Sequence, residues 1–164
     1  MGILFPAYQV TLSLSVLASV SVIVYVLRHH ERRGARPLLL LLVGATFWSF
    51  CALLSVQFRG TPASLVWSKL WFVGVALSVL GFFLLAMEYT GREEYVTPKT
   101  LALLLVEPIG FNLLIWIDES LLWTVGSPSG DTMRGYVIHQ GPAFYVHAAY
   151  SYLLLAAGVS LLLS

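Results

Sequence analysis

Charge is what this chain has least of. Only 10% of its residues are Asp, Glu, Lys or Arg, while 59% are hydrophobic. Soluble domains carry about a quarter charged residues. Too little polar surface is available to coat a soluble globule, and the mean hydropathy of +0.85 points the same way. The net charge of +1 excludes a nucleic-acid footprint built on bulk positive charge. Cysteine is nearly absent: Cys51 is the single one, so an internal disulfide and a thiolate metal cluster are both excluded. Lying in an apolar run, Cys51 reads as a small buried hydrophobe. Glycine-rich phosphate loops, HExxH, GxSxG and metal-ligand clusters are missing, so nothing indicates catalysis, a metal or a cofactor. The start lacks a basic segment, the first charge being Arg28, so it reads as an uncleaved first span.

What is present is long apolar runs. A membrane span needs about 20 such residues. Five stretches qualify, at about 6–27, 37–56, 65–87, 100–117 and 143–163. The expected fold is an all-α polytopic helix bundle forming one membrane-embedded domain over 1–164. The longest connection, 118–142, contains GSPSGD between short β-branched runs and reads as a β-hairpin or two irregular strands capping the bundle. Arg28, Arg32, Arg33, Arg36, Arg92 and Lys99 fall on one side, and Arg59, Lys69 and Arg134 on the other. Basic residues favour the cytoplasm, so the N-terminus is expected outside and the C-terminus inside a plasma membrane. Phe5, Tyr8, Phe58, Trp67, Trp71, Trp116, Trp123, Phe144 and Tyr145 are the expected interface aromatics of the outer side.

The fourth run, PKTLALLLVEPIGFNLLIWIDESLLW over 98–123, holds a carboxylate near its middle, Glu107. Ionisable groups at such depth are costly and mark pockets, pathways or buried pairs. At 1.5 Å per residue, Glu107 lies roughly 16 Å from the outer end of its span. The same count puts Thr46, Ser78, Ser15 and Ser19 near its level, as a polar layer. Pro108 removes the hydrogen bond to the Leu104 carbonyl and is the expected hinge. Asn112, one turn further out, suits a ligand or a cross-link to another span. His147 opens a face of the fifth span that continues through Tyr150 and Ser151. It counts to roughly 6 Å below the outer boundary, which leaves a gap on the order of 10 Å to Glu107. Direct pairing is therefore not expected, and Asn112 and Asp118 are the nearer partners of His147. Glu107, Asn112, His147 and Tyr150 are the candidate ligand-binding residues.

Two further patterns read as structural. Gly74, Ser78 and Gly81 offer a small face for close helix approach. Glu88 and Arg92 have the i,i+4 order of a helical ion pair. His29, His30 and Glu31 sit in the basic stretch RHHERR, which reads as a solvated loop.

Three segments taken in order carry a resemblance: ALSVLGFFLLAMEYTGREEYVTPKTLALLLVEP, IWIDESLLW and GPAFYVHAAYSYLLL. With these, the chain from about Leu12 onward resembles the N-terminal seven-transmembrane region of histidine kinases, especially the haloarchaeal versions. The resemblance implies an archaeal two-component system, with a membrane input module that passes a signal to cytoplasmic domains. It also implies seven spans, and only five are visible, so the chain reads as a truncated or fragmentary member. A histidine in an H-x-L-W-like motif often follows the family's fourth span; here the stretch reads Glu119-Ser120-Leu121-Leu122-Trp123.

The leading expectation is thus a sensory, ligand-binding input module. Its partners would be the lipid bilayer and a small-molecule or membrane signal, with no nucleic acid; a homodimer is compatible with it. The alternatives are a structural or oligomerising membrane subunit, and a small transporter or channel using Glu107.

Overall fold

A computed structural model describes residues 4–128 and 136–164. Five long helices, each long and apolar enough to cross a membrane, make up most of it. They are α1 (Leu4–Arg28), α2 (Ala35–Gln57), α3 (Pro62–Tyr89), α4 (Pro98–Ile117) and α5 (Pro142–Leu163). Strands β1 (Trp123–Pro128) and β2 (Tyr136–Gln140) pair antiparallel between α4 and α5. The expected architecture and its small β element are both present. The expected turn at Ser129, Gly130 and Asp131 lies outside the described residues, as does Arg134.

Three helices start two or three residues before, or one before, the apolar run that signals them. Pro62, Pro98 and Pro142 each occupy a first helical position. There the missing N–H costs nothing and the fixed φ suits the helix. Thr97 adds a cap to α4, its Oγ1 accepting from the Thr100 amide at 3.2 Å.

α3 is the central helix, packing against α2, α4 and α5, while α1 packs chiefly on α2. Glycine sets the closest approach. A Cβ on Gly74 would stand 2.5 Å from the Trp48 nitrogen, and one on Gly44 the same distance from the Ser78 nitrogen. Backbones that meet this closely leave no room for any side chain. The small face of span three therefore packs on α2, with Gly44 as its unanticipated counterpart. Gly158 does the same for α5, where a Cβ would meet the ring of Phe82 at 2.8 Å.

The Glu88–Arg92 ion pair is not formed. α3 ends at Tyr89, so Arg92 is not on the helix and the i,i+4 geometry never arises. Glu88 instead accepts the Gly34 amide at 2.6 Å, in the turn before α2. Gly34 has φ +79°, which glycine adopts without a Cβ penalty. Nearby, Arg33 reaches both oxygens of Glu93 at 2.8 and 2.9 Å, joining the α1–α2 and α3–α4 connections. A backbone hydrogen bond at Glu93 and then Arg33 hold this carboxyl below its usual range. His29 and His30 bond the carbonyls of Tyr25 and Leu27 as the last turn of α1 closes.

Candidate functional site between α4 and α5

Pro108 interrupts the hydrogen bonding of α4 without ending the helix. Its missing N–H leaves the Leu104 carbonyl without its usual partner. The Tyr150 hydroxyl on α5 donates to that carbonyl at 2.6 Å. Three residues along each helix, a second bond follows. Nδ1 of His147 lies 3.0 Å from Oε1 of Glu107 and 3.3 Å from Oε2. The two helices run antiparallel, so Leu104 to Glu107 and Tyr150 to His147 match as two rungs. The pair is shielded, with 4% of the His147 side chain and 20% of that of Glu107 accessible.

Aromatic rings fix the imidazole. Phe111, one turn beyond Glu107, stacks on it at 4.1 Å and 6°. Phe72 of α3 meets it edge-on at 5.7 Å and 76°. Phe72 and Phe111 belong to the core cluster with Ile115, Leu122 and Trp123. The imidazole thus has a carboxyl partner on one nitrogen and ring walls around it.

Direct pairing of His147 with Glu107 corrects the depth count. That count assumes that α4 and α5 end at one level, and they do not. After α4 the chain makes a short turn at Glu119–Leu121 and dives back into the bundle. Leu122 and Trp123 are 0% and 1% exposed and pack with Phe72, Phe111 and Ile115. The Gly141 amide donates to the Leu122 carbonyl at 2.6 Å, so α5 starts at core level rather than at the rim. Trp123 is correspondingly a core residue and not an interface aromatic. Phe58, Trp116 and Tyr145 are exposed on the bundle's surface. The rim itself is tied by Lys69 to Glu119 at 2.8 Å, with the ammonium 5.2 Å from the centre of the Trp116 ring. Asp118 accepts from the amide and hydroxyl of Ser120, and these bonds hold its carboxyl below its usual range.

The other candidates fall elsewhere. Asn112 donates to the Pro108 carbonyl of its own helix at 2.8 Å, so it neither cross-links spans nor meets His147. It lines a separate groove between α3 and α4 that also includes Pro108. The Thr46 and Ser78 hydroxyls donate to Leu42 and Gly74 of their own helices, and neither bonds Glu107. A hydroxyl near a carboxylate in depth need not face it, and in a helix its nearest acceptor is the carbonyl four residues back. Ser151, one turn after His147, is 8% exposed and was not among the candidates. The sequence offered a signal for the Tyr150 bond: the carbonyl freed by Pro108 had to find a donor.

His147 and Ser151 also border a groove of about 570 Å³ between α2, α3 and α5. Ser78 lines it too, and its walls include Trp48, Trp71, Phe72 and Phe82. Among the described residues no three His, Cys, Asp or Glu side chains are grouped to hold a metal ion.

No curated protein and no solved structure matches the chain. The family described as the N-terminal 7TM region of histidine kinase matches residues 11–164, almost the whole length. Among the described residues five apolar helices stand against the seven in that description. With its spans matched over that length, the chain belongs to the family of N-terminal 7TM regions of histidine kinases.

Proposed function

We propose that the chain is a membrane-embedded sensory input module that binds a signal molecule and passes its occupancy on by shifting α5 against α4. Membership of the histidine-kinase 7TM family supports the class. The observation that carries the mechanism is the two-rung clamp at Pro108. A proline break in one helix is closed by a hydroxyl from another, beside the part-buried Glu107–His147 pair. Such a junction has a second state available, in which the rungs open and α4 bends at Pro108. A signal need prefer one arrangement by only a few kcal/mol to shift the population. The groove against which His147 and Ser151 lie gives a place for the signal to act. The basic-residue bias supports an N-terminus outside and a C-terminus inside the plasma membrane, where cytoplasmic domains of a two-component system would receive the change.

The test joins the module to the catalytic region of a histidine kinase and measures autophosphorylation in membranes. Glu107→Leu with Tyr150→Phe removes both rungs. The proposal expects basal activity to change at least about fivefold, which is a shift of about 1 kcal/mol in the balance of states. Unchanged activity at equal membrane levels rejects the clamp as the signalling element.

The Glu107–His147 pair also favours a second reading, a proton or cation path. It requires flux in liposomes that Glu107→Gln abolishes. A purely structural or oligomerising subunit, as monomer or homodimer, would tolerate both substitutions in either assay.

A further inference from the structure

Two polar atoms beside the α2–α3–α5 groove have no partner: Nε2 of His147 and Oγ of Ser151. Both residues are more than nine-tenths buried and both line the groove. Orphaned polar groups in an apolar setting are costly. Their chemistry can be read from the other side of the ring. Nδ1 is engaged by Glu107. Within a membrane a pair without net charge is favoured. One proton then lies between Glu107 and Nδ1, on either partner, and in both arrangements Nε2 carries its hydrogen. Ser151 offers a second donor. Serine and histidine are one helical turn apart, with Cβ atoms about 5–6 Å from each other. A single oxygen with two lone pairs can accept from both at about 2.9 Å each.

We infer that the groove is a binding site for a neutral lipophilic carbonyl compound with a flat ring. Its carbonyl oxygen accepts from His147 Nε2 and Ser151 Oγ, and its body lies against Trp71, Phe72 and Phe82. The volume falls in the range of small-molecule pockets, and flat rings pack well on aromatic walls. A hydrocarbon would leave both donors unsatisfied, and an anion would enter a groove lined by no lysine or arginine, beside a pair without net charge. The inference rests on the sensory reading and supplies its ligand class. It also places the ligand on the same imidazole that forms one rung of the clamp, so filling the groove acts directly on that rung.

The test uses the 164-residue chain in nanodiscs and benzophenone as photolabel, with peptide mapping. Octanophenone and octylbenzene, which differ by carbonyl against methylene, serve as competitors. The site predicts labelling within residues 71–82 and 144–155, and competition by octanophenone at about tenfold lower membrane concentration, the effect of one or two hydrogen bonds. Ser151→Ala removes one oxygen from a packed helix and should cut that ratio to about threefold or less. Repeating the assay in ester-linked and ether-linked phosphatidylcholine identifies the source. Weaker labelling in ester lipid means that lipid carbonyls occupy the groove, and equal labelling means a free ligand; either supports the carbonyl site. Equal competition by the two compounds, with labelling still in the groove, overturns the carbonyl class and leaves the sensory reading standing. Absent labelling, together with disulfide-linked dimers of a Tyr152→Cys variant, places a second copy in the groove and overturns the carbonyl site, while the sensory reading is tested separately by autophosphorylation.

Discussion

Tyr150 places one hydroxyl against the carbonyl that Pro108 leaves open, and this bond sets what a single atom contributes. Tyr150→Phe keeps the ring and removes the oxygen. Hydrogen bonds between membrane helices average about 0.6 kcal/mol and reach about 1.7. Pro108 offers the Leu104 carbonyl no N–H, so the upper part of that range is expected. Reversible unfolding in mixed micelles, wild type against variant, reads the loss directly. Glu107→Leu is expected to cost more, about 1–3 kcal/mol, because it leaves Nδ1 of a buried His147 unpaired. A variant as stable as wild type in the same assay would mean that the rung carries no energy. The carboxylate and the proline that make this site were legible in the sequence, since both stand out in an apolar run. Their partners were not. A depth count from helix ends cannot know that Leu122 and Trp123 turn inward and lower the start of α5.

Among elements, α2 and α3 are held by contact without side chains. Gly81→Leu puts a branched chain where Leu41 already presents its backbone. Overpacking of this kind costs about 1–3 kcal/mol, and here backbone must move, so loss at the top of that range is expected in thermal unfolding. Retained stability would contradict the close approach. The connections between elements respond to pH instead. Glu93 is depressed below its usual range, so its contribution is complete above about pH 4.3, the ordinary value for glutamate. It is lost as pH falls through the lower folded value. Being exposed and in a connection, it affects the link between two loops more than the bundle. Amide exchange at Glu93–Tyr95 should therefore quicken, beyond its intrinsic pH dependence, on acidification below about pH 4, and Arg33→Ala should abolish that extra step. The span positions were legible to within three residues, because a membrane demands apolar length. The two-stranded element was legible from its short β-branched runs. The α3 exit was not, since Glu88 serves Gly34 of another turn rather than Arg92 on its own helix.

For the whole molecule, α3 is the fixed post and α4 and α5 form the junction that can change. α2 and α3 share a long glycine-lined contact, whereas α4 meets α5 through few neighbours and two polar bonds. Movement is expected where packing is sparse. His147 borders one groove and bonds Glu107 at the clamp, so in the proposed function a single ring joins binding to helix position. The most direct measurement of this coupling is the distance distribution between spin labels at Leu103 on α4 and Leu153 on α5. Both face outward from the bundle, and Cys51, fully buried, stays unlabelled. The clamp predicts one dominant distance in the parent chain and a second, displaced population in Tyr150→Phe with Glu107→Leu. An unchanged distribution in that variant, with the protein still folded in the membrane, would contradict it.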